Sequence, residues 1–429
     1  MPSISDLLTS VLHFFTGYYF QEALSSDSLT SRQMKTIVVL GGACGSITTA
    51  HRIFHGTAKG STIPFKIIIV APNTELYWNL ASPRGAVGVY GENKLFTPIA
   101  AGFKQYGDKF EFVLGKAEIL DPDTKTVTLA DRRTLAYDWL ILATGSSLKE
   151  PLPFKCLGST EATKQALQAF VVKVRKAKVI VVAGAGPTGI EFSAEVASAF
   201  PDKKLHLISA GPALSPESIP KVQKAAMTGL TKLGIDIKLS TKVISTSRTS
   251  TGQNEVVCSD GGKILADLYV PTFGVVPNSS YIPRELLTAT GYVIVDEYLK
   301  VKGVKDVWAI GDVADVEWAQ WIYMNNQATH VAKNIVAALN ERSPTPYKPG
   351  NDANLFLTFF KVRVELHTYA IILGIMGFSM GPKNAAGAFG SFKLPTVALS
   401  WGRKELYTPN VRATVDGSFI AMGFRYMMK

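Results

Sequence analysis

A glycine-rich segment in the middle of the chain has the spacing of a turn that binds phosphate groups. It follows the β-branched run Val179–Ala183 and precedes a helix-like stretch at residues 190–200. The segment reads Gly184, Ala185, Gly186, Pro187, Thr188 and Gly189. In G-x-G-x-x-G the first glycine makes a tight turn, the second lets backbone approach a pyrophosphate, and the third lets helix and strand pack closely. Phosphate oxygens then bind the unpaired N–H groups of the helix start, so we predict a dinucleotide site here.

A second segment of this kind lies nearer the N-terminus and has lost two glycines. It follows strand-like residues 36–40 and reads Gly41, Gly42, Ala43, Cys44, Gly45 and Ser46. Ala43 and Ser46 stand where the second and third glycines belong. An alanine methyl is compatible with a nearby pyrophosphate, and the Ser46 hydroxyl can hydrogen-bond locally at a helix start. The segment predicts a nucleotide fold, and leaves open whether that fold holds its nucleotide tightly or has lost it.

Two further strand-like runs end in glycine. Residues 140–145 end in Ala143, Thr144 and Gly145, and residues 307–312 end in Gly311 and Asp312. A glycine at such an exit permits close approach of backbone to a ligand. The Asp312 carboxylate can accept a hydrogen bond from a ribityl hydroxyl. Each exit is ordinary alone, but the order glycine turn, Ala-Thr-Gly, glycine turn, Gly-Asp is far more specific.

This order resembles the two-dinucleotide flavoprotein oxidoreductases. Within them it is similar to the apoptosis-inducing-factor-like group, which includes mitochondrion-associated, ferroptosis-suppressor-type NAD(P)H:quinone oxidoreductases. The likeness spans about residues 35–340 and resumes near Gly381, and segments 77–84, 274–278, 295–297 and 381–395 look most like fungal members. The resemblance implies an α/β fold with two Rossmann-like, glutathione-reductase-like domains. It implies FAD in the first turn and NADH or NADPH in the second.

The resemblance also assigns roles to two charged residues. Glu191, two residues past the third glycine, is expected beside the flavin, where it helps to position the nicotinamide and is often paired with a basic residue. The alternative is a carboxylate that only stabilises a helix N-terminus. Arg84 either neutralises the FAD pyrophosphate through a bidentate contact or forms a surface ion pair.

Four other residues complete the expected nucleotide sites. Asn73 follows the strand at residues 66–70, where an acidic residue normally binds the adenosine ribose, and its amide can still hydrogen-bond a hydroxyl. Ser209 ends the strand at residues 204–209, without the carboxylate that favours NADH or the arginine that favours NADPH, so coenzyme preference stays open. Residues 110–114 and 126–129 alternate like strands of one antiparallel meander. The resemblance implies that Ala117, at its edge, meets the adenine, and Gly274 begins the return to the FAD unit.

The motif order predicts a discontinuous FAD domain interrupted by an inserted NAD(P)H domain. We place the FAD domain at residues 35–150 and 272–345 and the NAD(P)H domain at residues 151–271. Residues 1–34 form an N-terminal extension. Residues 8–19 carry an apolar helical face that suits a membrane surface, although packing on the domain or disorder is the preferred interpretation. Residues 346–429 form a C-terminal region with an unusual hydrophobic insertion at residues 355–380.

Composition narrows the functional classes. The 429 residues are 47% hydrophobic and 18% charged, as in ordinary globular proteins. The three cysteines form no C-x-x-C, which removes the redox disulfide of related flavoprotein reductases and suggests a reduced, cytoplasmic setting. The net charge of +11 permits binding to anionic lipid, including peripheral contact with mitochondrial or lipid-droplet membranes. Basic clusters lack interleaved aromatics, so nucleic acid is not predicted.

Two histidines have a spacing that a metal site would use. His51 and His55 are separated by one helical turn, but no carboxylate lies between them as in H-E-x-x-H and no third ligand is evident. We interpret both as helix-surface histidines and predict no metal. Cys44 is interpreted as a buried small residue.

These observations favour an FAD-containing NAD(P)H oxidoreductase that delivers electrons to a diffusible acceptor, with a quinone as first choice and dioxygen or an electron-transfer protein as alternatives. Electrons must leave the flavin directly because a C-x-x-C relay is missing. One alternative is a nucleotide-sensing or interaction protein without turnover, since Ala43, Ser46 and Asn73 together weaken the FAD motif. Another is a flavin-dependent tailoring enzyme of secondary metabolism, whose substrate pocket the insertion at residues 355–380 would supply.

Overall fold

A computed structural model describes residues 33–349, 375–389, 392–403 and 405–418. The N-terminal face at residues 8–19 lies outside the described residues. So does the greater part of the insertion, up to residue 374. Predictions made for those segments therefore stay predictions.

The first unit is built on a five-stranded parallel sheet. Its apolar runs are buried on both faces, as expected for parallel strands covered on two sides. Helices Cys44–Gly56 and Trp321–Leu339 pack together on one face. The strands stand in the order Val307–Ala309, Trp139–Leu142, Lys35–Leu40, Phe65–Ala71 and Phe110–Leu114.

A small antiparallel sheet covers the other face of the first unit. Its strands are Ala117–Asp121, Thr126–Leu129 and Thr134–Ala136. Placing residues 110–114 in this meander was wrong, because Phe110–Leu114 pairs in parallel with Phe65–Ala71 at the edge of the main sheet. An edge strand is half exposed and alternates in polarity like a meander strand, so the sequence pattern does not separate the two.

The second unit is inserted into the first. The chain leaves through Ser146–Leu148 and returns through Val275–Pro277, and these two segments pair antiparallel. The predicted α/β fold with two Rossmann-like units is confirmed. The second unit contains a parallel sheet in the order Asp236–Lys238, Lys204–Ile208, Val179–Ala183 and Leu268–Pro271, an antiparallel sheet of Val243–Arg248, Asn254–Cys258 and Lys263–Ala266, and helices Thr160–Lys176, Pro187–Ala199 and Pro220–Lys232.

The C-terminal region adds a small antiparallel sheet against helix Pro187–Ala199. Residues 375–379, which the sequence analysis assigned to the insertion, are a strand of this sheet. An apolar stretch does not by itself reveal which strand it will pair with. There is therefore no sign in the sequence that these residues form a sheet with residues about ten positions away. The sheet contains Ile375–Ser379, Ala385–Phe389 and Phe392–Lys393, and helices Thr396–Gly402 and Asn410–Val415 follow.

Short elements join these layers. Helix Ser82–Ala86 packs between the first unit and helices Thr160–Lys176 and Pro187–Ala199. Within the described ranges no helix is long and apolar enough to cross a membrane. The remaining elements are strands Glu75–Tyr77 and Phe96–Pro98, helix Glu92–Leu95, and the 3-10 segments Asn79–Ala81, Ala100–Lys109, Arg284–Leu286 and Gly311–Val313.

Candidate active site

One cleft of about 780 Å³ opens between the two units and receives both glycine turns. Its size lies in the range of roughly 300–1,000 Å³ that is usual for small-molecule and cofactor sites. Fifteen of the predicted site residues line it: Gly41, Gly42, Ala43, Gly45, Asn73, Ala117, Ala143, Thr144, Gly145, Gly186, Pro187, Thr188, Glu191, Gly311 and Asp312. We call this space the two-turn cleft.

The first turn presents backbone N–H groups to the two-turn cleft. Gly41 has a φ of 132°, and a Cβ built on it would lie 2.2 Å from the Ala143 carbonyl oxygen, so only glycine fits. Helix Cys44–Gly56 begins after extended Ala43 with no side-chain cap from the described residues. Its first N–H groups thus remain available to an anion. Ser46 is buried behind the turn and donates locally to the Ala43 carbonyl at 3.1 Å.

The second turn has the same design with all three glycines in place. Extended Gly186 precedes helix Pro187–Ala199, whose first residue is proline, and no described side chain caps the helix. A Cβ on Gly189 would lie 1.9 Å from the Gly184 carbonyl oxygen, so the third glycine sets the contact between helix and strand. Gly184 and Gly189 therefore shape the turn behind the cleft, while Gly186 faces it.

Asp312 is an anchored anion at the inner wall of the cleft. Its Oδ2 accepts hydrogen bonds from the Lys155 ammonium at 2.6 Å and the Ser146 hydroxyl at 2.7 Å. Burial works against ionisation, but the Lys155 charge and the two hydrogen bonds hold the pKa of Asp312 below its ordinary value. Sequence reasoning missed Lys155 and Ser146, which are 157 and 166 residues away along the chain.

The lowered pKa of Asp312 predicts an acid-sensitive contribution to stability. The ion pair stabilises the fold above the ordinary aspartate pKa of about 4, and the stabilisation is lost as pH falls through the lower folded value. We expect Asp312→Asn to lose about 1–3 kcal/mol near neutral pH and to show a flatter decline towards acid. Thermal unfolding between neutral and acidic pH measures this, with Lys155→Met as the matched variant. Parallel curves for wild type and Asp312→Asn would contradict the assignment.

Glu191 lies at the cleft wall on the second turn of helix Pro187–Ala199. Its Oε1 accepts from the Arg403 guanidinium at 2.6 Å and from the Ser379 amide at 2.9 Å. Burial raises the pKa of Glu191, and the Arg403 charge and the Ser379 hydrogen bond oppose that rise. The basic partner that the resemblance implied is thus present, and it comes from 212 residues away.

Comparison with known proteins agrees with this geometry. The model of a family described as pyridine nucleotide-disulphide oxidoreductase matches residues 35–332. The chain belongs to this family. It is therefore an oxidoreductase with the family's pyridine-nucleotide architecture.

Individual relatives extend the likeness beyond the matched range. Oxidoreductase ptaL of Pestalotiopsis fici is 41% identical over 393 residues, covering 90% of this chain and 100% of that protein. Ferroptosis suppressor protein 1 of Taeniopygia guttata is 30% identical over 324 residues, covering 73% and 84%. The sulfide:quinone oxidoreductase structure from Aquifex aeolicus aligns with a TM-score of 0.67 at 18% identity, covering 89% of this chain and 92% of that one. This last likeness concerns the fold alone.

The family name raises the question of a redox disulfide, and two of the three cysteines line the two-turn cleft. Cys44 and Cys156 are free thiols in the structure, as is Cys258 elsewhere. Burial raises the pKa of Cys44 to about 12 and that of Cys156 to about 11. Because the thiolate is the reactive form, neither thiol is poised for exchange near neutral pH. Cys44 is buried, as predicted.

Arg84 corrects both interpretations made from the sequence. It is 3% exposed and is absent from the cleft lining, although Ser82 and Pro83 on the same short helix line it. Its guanidinium instead binds the carboxylate of buried Glu195. The pair is therefore neither a pyrophosphate contact nor a surface ion pair. A helix of five residues gives too little pattern to tell which face meets the ligand.

Three further residues predicted to contact a ligand lie at different places relative to the cleft, and their ligand contacts stay predictions. Asn73 lines the cleft and uses Nδ2 to bind the carbonyls of Gly42 at 3.2 Å and Glu75 at 2.7 Å, which leaves Oδ1 as the atom suited to a ribose hydroxyl. Ser209 is buried and donates to the Ala213 carbonyl at 3.2 Å, outside the cleft lining. Gly274 has a φ of 79° and is absent from the cleft lining, although the next residue, Val275, lines it.

His51 is not on the helix surface as interpreted, whereas His55, one turn further along the helix, is only partly buried. His51 is fully buried, stacks on Phe103 with ring centroids 4.0 Å apart, and contacts the Tyr106 hydroxyl and the Val415 carbonyl. Burial lowers its pKa to about 4, so the ring is neutral near pH 7. Among the residues described, no three or more His, Cys, Asp or Glu side chains are grouped so that they could hold a metal ion. His51 joins the C-terminal helix Asn410–Val415 to helix Cys44–Gly56.

Proposed function

We propose that this oxidoreductase transfers a hydride from NADH or NADPH to FAD and passes the electrons to a diffusible acceptor of the quinone class. The observation that carries the proposal is that both glycine turns open on the same two-turn cleft. Two nucleotides held by these turns would extend towards each other within it. Holding reacting groups at near-contact distance is the principal contribution a protein makes to hydride transfer.

The residues of the first unit fit FAD. The N–H groups at Gly42–Gly45 suit the pyrophosphate, and the ionised Asp312 carboxylate suits a ribityl hydroxyl. Gly115, Lys116 and Ala117 line the end of the cleft where the resemblance expects the adenine. A bound flavin supplies a ring that accepts a hydride and releases electrons singly or in pairs.

The residues of the second unit fit a nicotinamide dinucleotide. Gly186, Pro187 and Thr188 offer the helix start to its pyrophosphate. Glu191 stands further along the same helix, fixed by Arg403 and Ser379, where it can accept a hydrogen bond from a carboxamide. These two contacts hold the Glu191 carboxylate in place, which limits the ordering that binding requires.

Three observations support a small diffusible acceptor. The cleft thiols Cys44 and Cys156 are held protonated, so a thiol relay near neutral pH is disfavoured. Val275 and Val276 line the cleft and remain 39% and 40% exposed, which gives its mouth an apolar border. The order of motifs along the sequence also resembles that of NAD(P)H:quinone oxidoreductases.

Anaerobic titration of the purified protein tests the proposal. We expect one equivalent of NADH or NADPH per flavin to bleach the oxidised flavin spectrum completely, because flavin alone takes up the two electrons. A requirement for two equivalents would reveal a second two-electron centre and point to a Cys44–Cys156 disulfide. A flavin that stays oxidised with both nucleotides would overturn the proposal.

The fate of the electrons separates the remaining alternatives. Reduced protein mixed with a soluble quinone should reoxidise faster than with dioxygen. Incorporation of an oxygen atom into an organic substrate would instead indicate a flavin-dependent tailoring enzyme. Protein that is purified without colour and does not take up FAD would favour the nucleotide-sensing alternative.

A further inference from the structure

A second buried ion pair lies one helical turn beyond Glu191. Glu195 is 2% exposed, and its Oε1 accepts from Arg84 Nε at 2.9 Å and from Arg84 Nη2 at 2.5 Å. Arg84 Nη1 also donates to the Tyr90 hydroxyl at 3.0 Å. Two N–H groups on one carboxylate oxygen fix the direction of approach as well as the distance.

The two partners belong to different units. Arg84 is on helix Ser82–Ala86, in the first unit, and Glu195 is on helix Pro187–Ala199, which carries the second glycine turn. The next residues after Arg84 strengthen the junction, because Ala86 and Val87 are buried in the hydrophobic core of the second unit. The ion pair therefore stands where the two units are joined.

Arg84 and Glu195 lie close to the two-turn cleft but do not line it. Ser82 and Pro83 precede Arg84 and line the two-turn cleft, and Glu191 lies four residues before Glu195 and lines it from the other side. Residues four apart share one face of a helix. Helix Pro187–Ala199 is thus held at two successive turns, by Arg403 at Glu191 and by Arg84 at Glu195.

Stability alone is a poor explanation for such a pair. Removing two charges from water is unfavourable, and a well-packed apolar pair of the same volume is often as stable or more so. Unlike hydrogen bonds, contacts between apolar side chains do not specify the relative orientation of the two partners. The orientation of helix Pro187–Ala199 relative to the first unit matters greatly for the proposed hydride transfer. A displacement of about 1 Å between the reacting groups can change the transfer rate about a hundredfold.

We propose that Arg84 and Glu195 are a positioning pair that sets the orientation of helix Pro187–Ala199, and with it the nicotinamide, relative to the flavin site. The inference rests on the proposed function for its consequence in hydride transfer. It assigns no contact between either residue and a cofactor. It accounts for a buried arginine beside the cleft that takes no part in lining it.

The test uses the full-length flavoprotein and three variants. Arg84→Met combined with Glu195→Leu removes both charges and keeps a similar volume, so neither member of the pair is left as a charge without the other. Arg84→Lys keeps the charge but offers one ammonium in place of the two-pronged contact. Lys164→Met is the matched control, because Lys164 pairs with Glu75 across the same two units at 2.5 Å in a more exposed place.

Two readouts separate orientation from a merely structural role. Hydrogen exchange over residues 82–90 and 187–199 reports the junction and requires no turnover. Rapid mixing with saturating NADH reports the rate of flavin reduction, and the long-wavelength charge-transfer absorbance of reduced flavin with NAD⁺ reports stacking of the rings. Flavin content and thermal unfolding are measured alongside.

In the double variant we expect retained flavin, faster exchange over both segments, weaker charge-transfer absorbance and a flavin reduction rate lowered roughly ten- to a hundredfold. Arg84→Lys should restore part of the rate, and Lys164→Met should match wild type. The inference would be overturned if the double variant matched Lys164→Met in hydrogen exchange, charge-transfer absorbance and flavin reduction rate. If the double variant does not fold, wild-type exchange and rate in Arg84→Lys would overturn it equally. Failure of NADH and NADPH to reduce wild-type flavin would refute the proposed function instead, and hydrogen exchange would still decide whether the pair holds the helix.

Discussion

Gly189→Ala should lower the rate at which NADH and NADPH reduce the bound flavin about a hundredfold. A Cβ at this position would lie 1.9 Å from the Gly184 carbonyl oxygen and 2.8 Å from the Thr272 hydroxyl. Backbone cannot yield as the end of a flexible side chain can, so helix Pro187–Ala199 must move away from its strand. A shift of about 1 Å is enough to lower transfer about a hundredfold, and overpacking of this kind lowers stability by about 1–3 kcal/mol. Rapid mixing with each nucleotide measures the loss.

Flavin retention should survive Gly189→Ala, because the first turn lies in the other unit. Gly186→Ala is the matched control: a Cβ there meets no heavy atom of the described chain within 4 Å, and its φ of −76° suits any L residue. We expect its thermal stability to be unchanged or up to about 1 kcal/mol higher. Any weakening of NAD(P)H binding in Gly186→Ala would then report the ligand directly. A Gly189→Ala protein that is reduced at the wild-type rate would contradict the assignment of the second turn.

Arg403→Met should lower both stability and the rate of flavin reduction, because it leaves the buried Glu191 carboxylate without its charged partner. Arg403 lies 2.6 Å from Glu191, and both side chains are largely buried. Removing one partner of a buried pair typically destabilises a protein by about 3–5 kcal/mol. Flavin reduction should slow as well, because Glu191 loses the group that fixes it at the cleft wall. Chemical denaturation and single-turnover kinetics measure the two effects.

The pH dependence of Arg403→Met gives the sign of the electrostatic effect. Burial already raises the pKa of Glu191, and loss of the Arg403 charge removes an opposing influence. A carboxyl whose folded pKa lies above its unfolded value binds more protons when folded, so stability falls as pH rises through the folded value. The variant should therefore recover towards wild-type stability as pH is lowered. Glu191→Gln combined with Arg403→Met removes the charge and should lose this pH dependence, whereas an equal dependence in both variants would show that Glu191 is not responsible.

The nucleotide turns could be predicted from the sequence because their requirements are local. Gly41 is needed because its own φ is 132°, and Gly189 is needed because of a backbone contact with nearby Gly184. The order of motifs along the chain then implied two Rossmann-like units with one inserted in the other. Strand exits at Gly145 and Gly311 followed from the same reasoning, and both line the cleft. The placement of residues 110–114 failed because edge strands and meander strands share one polarity pattern.

The charges around the cleft could not be predicted in this way. Asp312, Glu191 and Glu195 find their partners 157, 212 and 111 residues away, at Lys155, Arg403 and Arg84. Nothing in the spacing of residues along a chain specifies such contacts, because they depend on how two units and a C-terminal sheet are packed. The turns and their order can be read from the sequence, since their steric requirements act mainly between near neighbours. Which charges are buried together follows from the packing of the whole chain, since electrostatic pairing depends on distance in space.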